Sequence, residues 1–297
     1  MPDLVEGTVR FGDHETWYLL ASAREGEPSG RPLVALHGGP GCTHDYLLSL
    51  LDLVRDDRPV LFYDQLGNGR STHLPDAPAD FWNVELFLAE LDNLLESLGF
   101  AADYDLLGQS WGGMLGAEHA VRQPPGLHRL VISNSPASMP LWRAAAAQLR
   151  DDLPAETLRA LEHHEAAGTV RSAEYRAATE VFYDRHVCRL RPRPPEVQRT
   201  FDWMDRDPTV YEVMNGPTEF HVIGSLREWS VIDRLPAVRA KTLVINGQYD
   251  EATDDTVRPF VEHIPDARWH RFEHSSHLPH WEERPAYMRV VAEFLDA

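Results

Sequence analysis

Two cysteines in 297 residues, Cys42 and Cys188, are too few to staple a fold. They exclude a disulfide framework, and a reduced cytosolic setting is expected. No Cys/His cluster has zinc-ligand spacing, so no metal is expected. No run approaches the roughly 20 apolar residues of a membrane span, so no membrane partner is expected. The segment Met1-Pro2-Asp3-Leu4-Val5-Glu6 has no basic stretch leading into an apolar one, and a signal peptide is not expected. Positive charge is scarce: 28 Lys and Arg stand against 47 Asp and Glu, for a formal net charge of −19. That field repels polyanions and excludes nucleic acid as an expected partner. It serves solubility first, and it mildly favours cationic small molecules. Internal repeats and low-complexity tracts are absent.

What is present is ordinary globular composition, 43% hydrophobic and 25% charged, enough for one large domain or a domain with an insertion. Residues 8–10 and 15–20 alternate as early hairpin strands, and residues 25–31, with Gly, Pro and Ser, read as a loop. Residues 33–36, 60–63, 104–107, 130–133 and 242–245 are short, apolar strand-like runs, and 268–272 is a further strand. Residues 84–98 have apolar positions at helical spacing, with Asn83 as N-cap and Gly99 as stop. Apolar strands alternating with helices predict a mostly parallel central sheet covered on both faces, an α/β fold. From about 137 to about 229 the composition turns to Ala, Glu, Arg and Leu without strand runs, broken once at Pro192, Pro194 and Pro195. The expected division is core 1–136, helical cap 137–229 and core 230–297. His163-His164, adjacent rather than four apart, reads as a solvated helix face. His119, His128 and His186 read as surface or packing residues.

The most informative stretch is Gly108-Gln109-Ser110-Trp111-Gly112-Gly113, placed between a strand and a helix. A serine on such a sharp turn is a nucleophile elbow, and the flanking glycines are needed because a Cβ at either side would collide. A serine nucleophile needs a base, and the base an orienting acid. In the α/β-hydrolase fold they follow in the order Ser, acid, His. Asp250 comes first after the strand at 242–245 and its loop, ahead of Glu251, Asp254 and Asp255. His277 follows the last strand, with His274 and His280 as rivals. The loop His37-Gly38-Gly39-Pro40-Gly41 after an early strand can turn an N–H toward an oxyanion, and the second donor would be the N–H of Trp111.

His37-Gly38-Gly39-Pro40-Gly41, Asp64-Gln65-Leu66-Gly67-Asn68-Gly69-Arg70-Ser71 and the Ser110 motif resemble the proline iminopeptidases of the α/β-hydrolase fold. So do Met214-Asn215-Gly216-Pro217-Thr218-Glu219-Phe220, Gln248-Tyr249-Asp250-Glu251 and Ser276-His277-Leu278. The match runs from about residue 33 onward. The resemblance implies a triad of Ser110, Asp250 and His277 and oxyanion donors at Gly39 and Trp111. It implies that Glu219 and Glu251 hold the substrate's free α-amino group, with Tyr211 assisting. No cofactor is implied. The implied substrate is a small peptide or aminoacyl amide with a free α-amino group. Relatives on the same scaffold include broader amidases, and enzymes that remove a terminal aminoacyl protecting group in biosynthesis. An esterase or thioesterase would share the triad without needing Glu219 and Glu251.

Overall fold

A computed structural model describes residues 2–23 and 30–297. The loop expected over 25–31 lies outside the described residues except for Gly30 and Arg31. The chain opens with a hairpin of β1 (Asp3–Phe11) and β2 (His14–Ser22), then β3 (Leu33–Leu36) and β4 (Val60–Tyr63). After them come α1 (Val84–Ser97), β5 (Tyr104–Gln109), α2 (Trp111–Val121) and β6 (Leu127–Ser133). Five helices follow without a strand: α3 (Met139–Asp151), α4 (Ala155–Ala167), α5 (Ala173–His186), α6 (Pro195–Arg206) and α7 (Thr209–Met214). The chain closes with β7 (Lys241–Gly247), α8 (Asp254–His263), β8 (Ala267–Phe272), α9 (Pro279–Glu282) and α10 (Arg284–Asp296).

One sheet takes the order β1-β2-β4-β3-β5-β6-β7-β8. The hairpin meets β4 antiparallel, and the strands from β4 to β8 run parallel. Every position of β3, β4 and β5 is buried because alternate side chains enter opposite layers. Val34, Leu36, Leu61, Tyr63 and Leu106 pack one face, with Leu91 of α1 and Leu115 of α2. Leu33, Ala35, Val60, Phe62 and Leu107 pack the other, with Val291 of α10. Asn83 caps α1 by accepting from the Leu86 N–H at 2.9 Å, and Gly99 ends it at φ 74°.

The parallel register aligns the strand ends. Leu36 lies opposite Gly108, Gln109 opposite Ser133, Ser133 opposite Ile245, and Gly247 opposite Phe272. His37, Ser110, Asn134, Asp250 and His277 all follow those ends, so one rim of the sheet collects them.

Two expectations need correction. The helical stretch is broken four times rather than once, because Pro154, Gly168 in the left-handed region at φ 67°, and Pro208 stop helices as well as the 192–195 prolines. His163-His164 is not a wholly solvated face. His164 is buried, with Nδ1 2.7 Å from Thr169 Oγ1, because α4 and α5 fold on each other around Leu161, Tyr175 and Phe182.

Candidate active site

Ser110 connects β5 to α2 with φ 57° and ψ −126°, a conformation L-residues rarely adopt and which stores strain of order 1–3 kcal/mol. The turn holds because its backbone is fully used. Ser110 N donates to Ser133 O at 2.9 Å, and Ser110 O accepts from Gly113 N at 2.8 Å and from Ser135 Oγ at 2.7 Å. A Cβ on Gly108 would run into the Gly112 carbonyl, and one on Gly112 into the Leu36 carbonyl. The glycines are therefore required by the elbow's own close packing.

His277 Nδ1 lies 2.7 Å from Asp250 Oδ1. An ionised carboxylate only accepts, so Nδ1 carries the proton and Nε2 keeps its lone pair. Asp250 is held from three further directions: Ala252 N at 2.9 Å, Gly247 N at 3.3 Å and Asn134 Nδ2 at 2.6 Å. Asn134, at φ 55°, tolerates the left-handed region that aims its amide at Asp250. Nothing in the sequence marked Asn134. Among the described residues, Ser110 and His277 share a cavity rather than a closed hydrogen bond, and contacts of this kind commonly tighten around substrate. The rivals are placed elsewhere. His274 is exposed, His280 is buried with Nδ1 2.8 Å from Ser49 Oγ, and Asp254 receives Asn246 and Arg271.

The loop after β3 is braced by a hydrogen-bonded scaffold. Gln65 N donates to His37 Nε2 at 2.9 Å, and His37 Nδ1–H reaches Gly38 O at 3.0 Å. Burial keeps that imidazole neutral, its pKa lowered to about 4. Gln65 also accepts from the Trp111 indole at 2.8 Å and donates to His37 O at 3.0 Å, tying the loop after β3 to the residue after Ser110. Asp64 accepts from His44 N and Arg70 N, which shapes the turn that presents Gln65. Behind the loop, Gly38 N donates to the Tyr46 hydroxyl at 2.7 Å, which donates to Gln109 Oε1 at 2.5 Å. Gln109 Nε2 then donates to His277 O at 3.0 Å. The loop after β3 and the His277 loop are thus linked through Tyr46 and Gln109, neither of which the sequence marked. Trp111 N, in the first turn of α2, has no intrahelical acceptor and borders the Ser110 cavity together with Gly39.

Two carboxylates stand at this rim, Glu251 buried and Glu219 half-buried. Glu251, beside Asp250, is 2% exposed, and neither of its oxygens has a hydrogen-bond partner. Its Oε1 is 3.8 Å from His277 Nε2. Burial, followed by the charges of Glu219 and Asp250, pushes its pKa well above the usual carboxylate range. Glu219, delivered by the chain after α7, accepts from the Tyr211 hydroxyl at 2.8 Å. Burial raises Glu219 too, opposed by His277 and Tyr211. The Tyr183 hydroxyl accepts from Glu219 N at 3.4 Å, and Trp142 Nε1 donates to Glu219 O at 2.7 Å. Two neighbouring acidic groups drawn out of water, one of them without a hydrogen-bond partner, are unfavourable as anions unless a cation joins them.

The α/β hydrolase fold family matches residues 31–284. The chain is 37% identical over 293 residues to a proline iminopeptidase of Saccharolobus solfataricus, covering 98% of this chain and 92% of that one. This chain belongs to the proline iminopeptidase family of α/β hydrolases. Among solved structures, it matches a proline iminopeptidase of Mycobacterium smegmatis with a TM-score of 0.91 and 53% identity, covering 98% of each chain. It matches VinJ with a TM-score of 0.96 and 51% identity, covering 100% of this chain and 99% of that one.

In this hydrolase, two cavities meet at Ser110, Gly39 and Glu219. One, of about 260 Å³, is walled by Trp111, Met114, Pro136, Met139, Trp142 and Leu226. The other, of about 370 Å³, is bordered by Tyr46, Gln109 and His277 and extends under α6. No described helix is long and apolar enough to cross a membrane.

Proposed function

We propose that this hydrolase releases the N-terminal residue, proline or another small apolar one, from a small peptide or aminoacyl amide through a serine acyl-enzyme. The observation that carries the reading is that Glu251, buried and without a hydrogen-bond partner, and the half-buried Glu219 stand beside the histidine and the serine. Hydrolysis of an ester or amide as such has no use for two carboxylates drawn out of water at the site, one of them without a partner. An exopeptidase must hold a terminal ammonium one residue from the scissile bond, and charge-assisted hydrogen bonds make such a clamp stronger than neutral contacts. When the ammonium enters between them, its charge favours ionisation of both carboxyls.

In this mechanism Ser110 Oγ attacks the carbonyl carbon while His277 Nε2 takes its proton. Asp250 fixes the Nδ1–H tautomer and stabilises the imidazolium. The N–H groups of Gly39 and Trp111 receive the developing oxyanion. His277 returns the proton to the departing amine, and water then cleaves the Ser110 ester by the same route. Residues 137–229 act as a cap that carries Tyr211 and Glu219 to the rim. The free thiols of Cys42 and Cys188 fit a reducing, cytosolic setting.

The test is amine release from aminoacyl-β-naphthylamides, Pro and Ala included, with N-acetyl controls and Ser110→Ala. Cleavage confined to free-amine substrates, and lost in Ser110→Ala, is expected. Equal cleavage of the acetylated substrates removes the clamp, and turnover in Ser110→Ala removes the serine mechanism. Activity is also expected to fall at high pH, as a substrate α-amine with pKa near about 8 loses its proton.

A further inference from the structure

Ser110 stands between two cavities, and their linings divide the substrate between them. His277 gives its proton to the departing amine, so the leaving group lies on the side that His277 borders. That side is the larger cavity. The smaller one, without His277, takes the side chain of the residue that becomes the acyl group.

The larger cavity has a distinctive chemistry. Its walls include Cys42, Val187, Val197, Phe201 and Leu278, from the oxyanion loop, the segments around α5 and α6, and the residue after His277. Among the described residues no Lys or Arg lines it, and its carboxylate is Glu219. The polar groups on its wall are already engaged. Tyr46 and Gln109 bond each other, and Thr200 Oγ1 is shared by Thr43 Oγ1 at 2.9 Å and Tyr46 N at 3.3 Å. Arg199, the neighbour of Thr200 in sequence, is committed to Asp45 at 3.0 Å. An α-carboxylate brought here would shed water, find no free donor, and face Glu219. An apolar group would lose nothing by the same move.

We infer that this cavity is a leaving-group site that selects an amine bearing an apolar, uncharged group and discriminates against a free α-carboxylate just beyond the scissile bond. The inference rests on the aminoacyl-amide reading above and names the amine that leaves. Substrates whose next residue is blocked, amidated or part of a larger neutral molecule are the preferred class, and free dipeptides are the poor one.

The experiment compares prolinamide, Pro-Phe amide and Pro-Phe free acid at pH 7, with the alanyl series alongside. Pro-Phe amide is expected to exceed the free acid in kcat/KM by about tenfold or more, the scale on which a site rejects a group it cannot solvate. In Phe201→Ala, at a half-buried position, the Pro-Phe amide to prolinamide ratio is expected to fall about tenfold. Phe201→Lys, which sets an ammonium at the same wall, is expected to shift preference toward the free acid. Because each readout is a ratio, partial loss of folded enzyme does not mimic it. Equal kcat/KM for amide and free acid overturns the inference while leaving the aminoacyl reading standing. Failure to cleave any free-amine substrate overturns both.

Discussion

Replacing Glu251 by Gln is expected to weaken catalysis and stabilise the fold together, and the two effects share one cause. Glu251 is 2% exposed, has no hydrogen-bond partner on either oxygen, and sits near the charges of Glu219 and Asp250. Its folded pKa is raised, so the unfolded chain gives up this proton more readily than the native one. The carboxyl's share of stability is therefore full below the ordinary carboxylate range and is lost as pH rises through the raised value. Glu251→Gln keeps the shape and removes the charge. The stability difference between variant and wild type is expected to be near zero at about pH 4 and to widen toward alkaline pH. A buried group left unsatisfied costs about 1–3 kcal/mol. At roughly 2–4 °C per kcal/mol for a chain this large, the gain in Tm at pH 8 is about 2–12 °C. Losing a contact to the substrate ammonium costs about 1.5–3 kcal/mol, a fall in kcat/KM of roughly 10–150-fold. Thermal unfolding from pH 4 to pH 9 and kinetics on one free-amine substrate read both. A variant less stable than wild type at pH 8, a pH-independent Tm difference, or unchanged kcat/KM would refute the reasoning.

Asp250→Asn leaves His277 without its carboxylate, and kcat is expected to drop by roughly 10⁴ with little change in far-UV circular dichroism; a loss under tenfold would remove Asp250 from the triad. Tyr46→Phe removes the acceptor for Gly38 N–H and the donor to Gln109. Acting through the oxyanion loop as a positioning residue, it is expected to lower kcat about 3–12-fold for prolinamide with KM nearly constant, whereas an effect in KM alone would place Tyr46 in substrate binding. Gly112→Ala drives a methyl group into the Leu36 carbonyl and is expected to destabilise by more than about 2 kcal/mol in denaturant unfolding; a native midpoint would show that the elbow can relax.

The strands over 33–36 and 60–63 are read to the residue from the sequence, because a run buried on both faces must be apolar throughout. The elbow was legible for a local reason. Strand, Gly-x-Ser-x-Gly and helix follow one another directly between Tyr104 and Val121, and the glycines answer contacts made inside the turn and with the adjacent β3. The order Ser, acid, His and the resemblance indicated Asp250 and His277, which the parallel register then sets on one rim. Composition could not show where the insert's helices stop, because Gly168 and Pro154 act locally while the insert's average stays helical.

Tertiary structure alone decided the rest. Asn134 and Tyr46 lie 116 and 63 residues from the side chains they hold, and no local pattern encodes a hydrogen bond across that distance. The same holds for Glu251 and Glu219: their places in the sequence say nothing about loss of water, and it is loss of water that raises the pKa of both carboxyls. Sequence determined which chemical groups the chain owns and which backbone turns can present them; the packing of distant segments determined which of those groups are dry, close and unpaired.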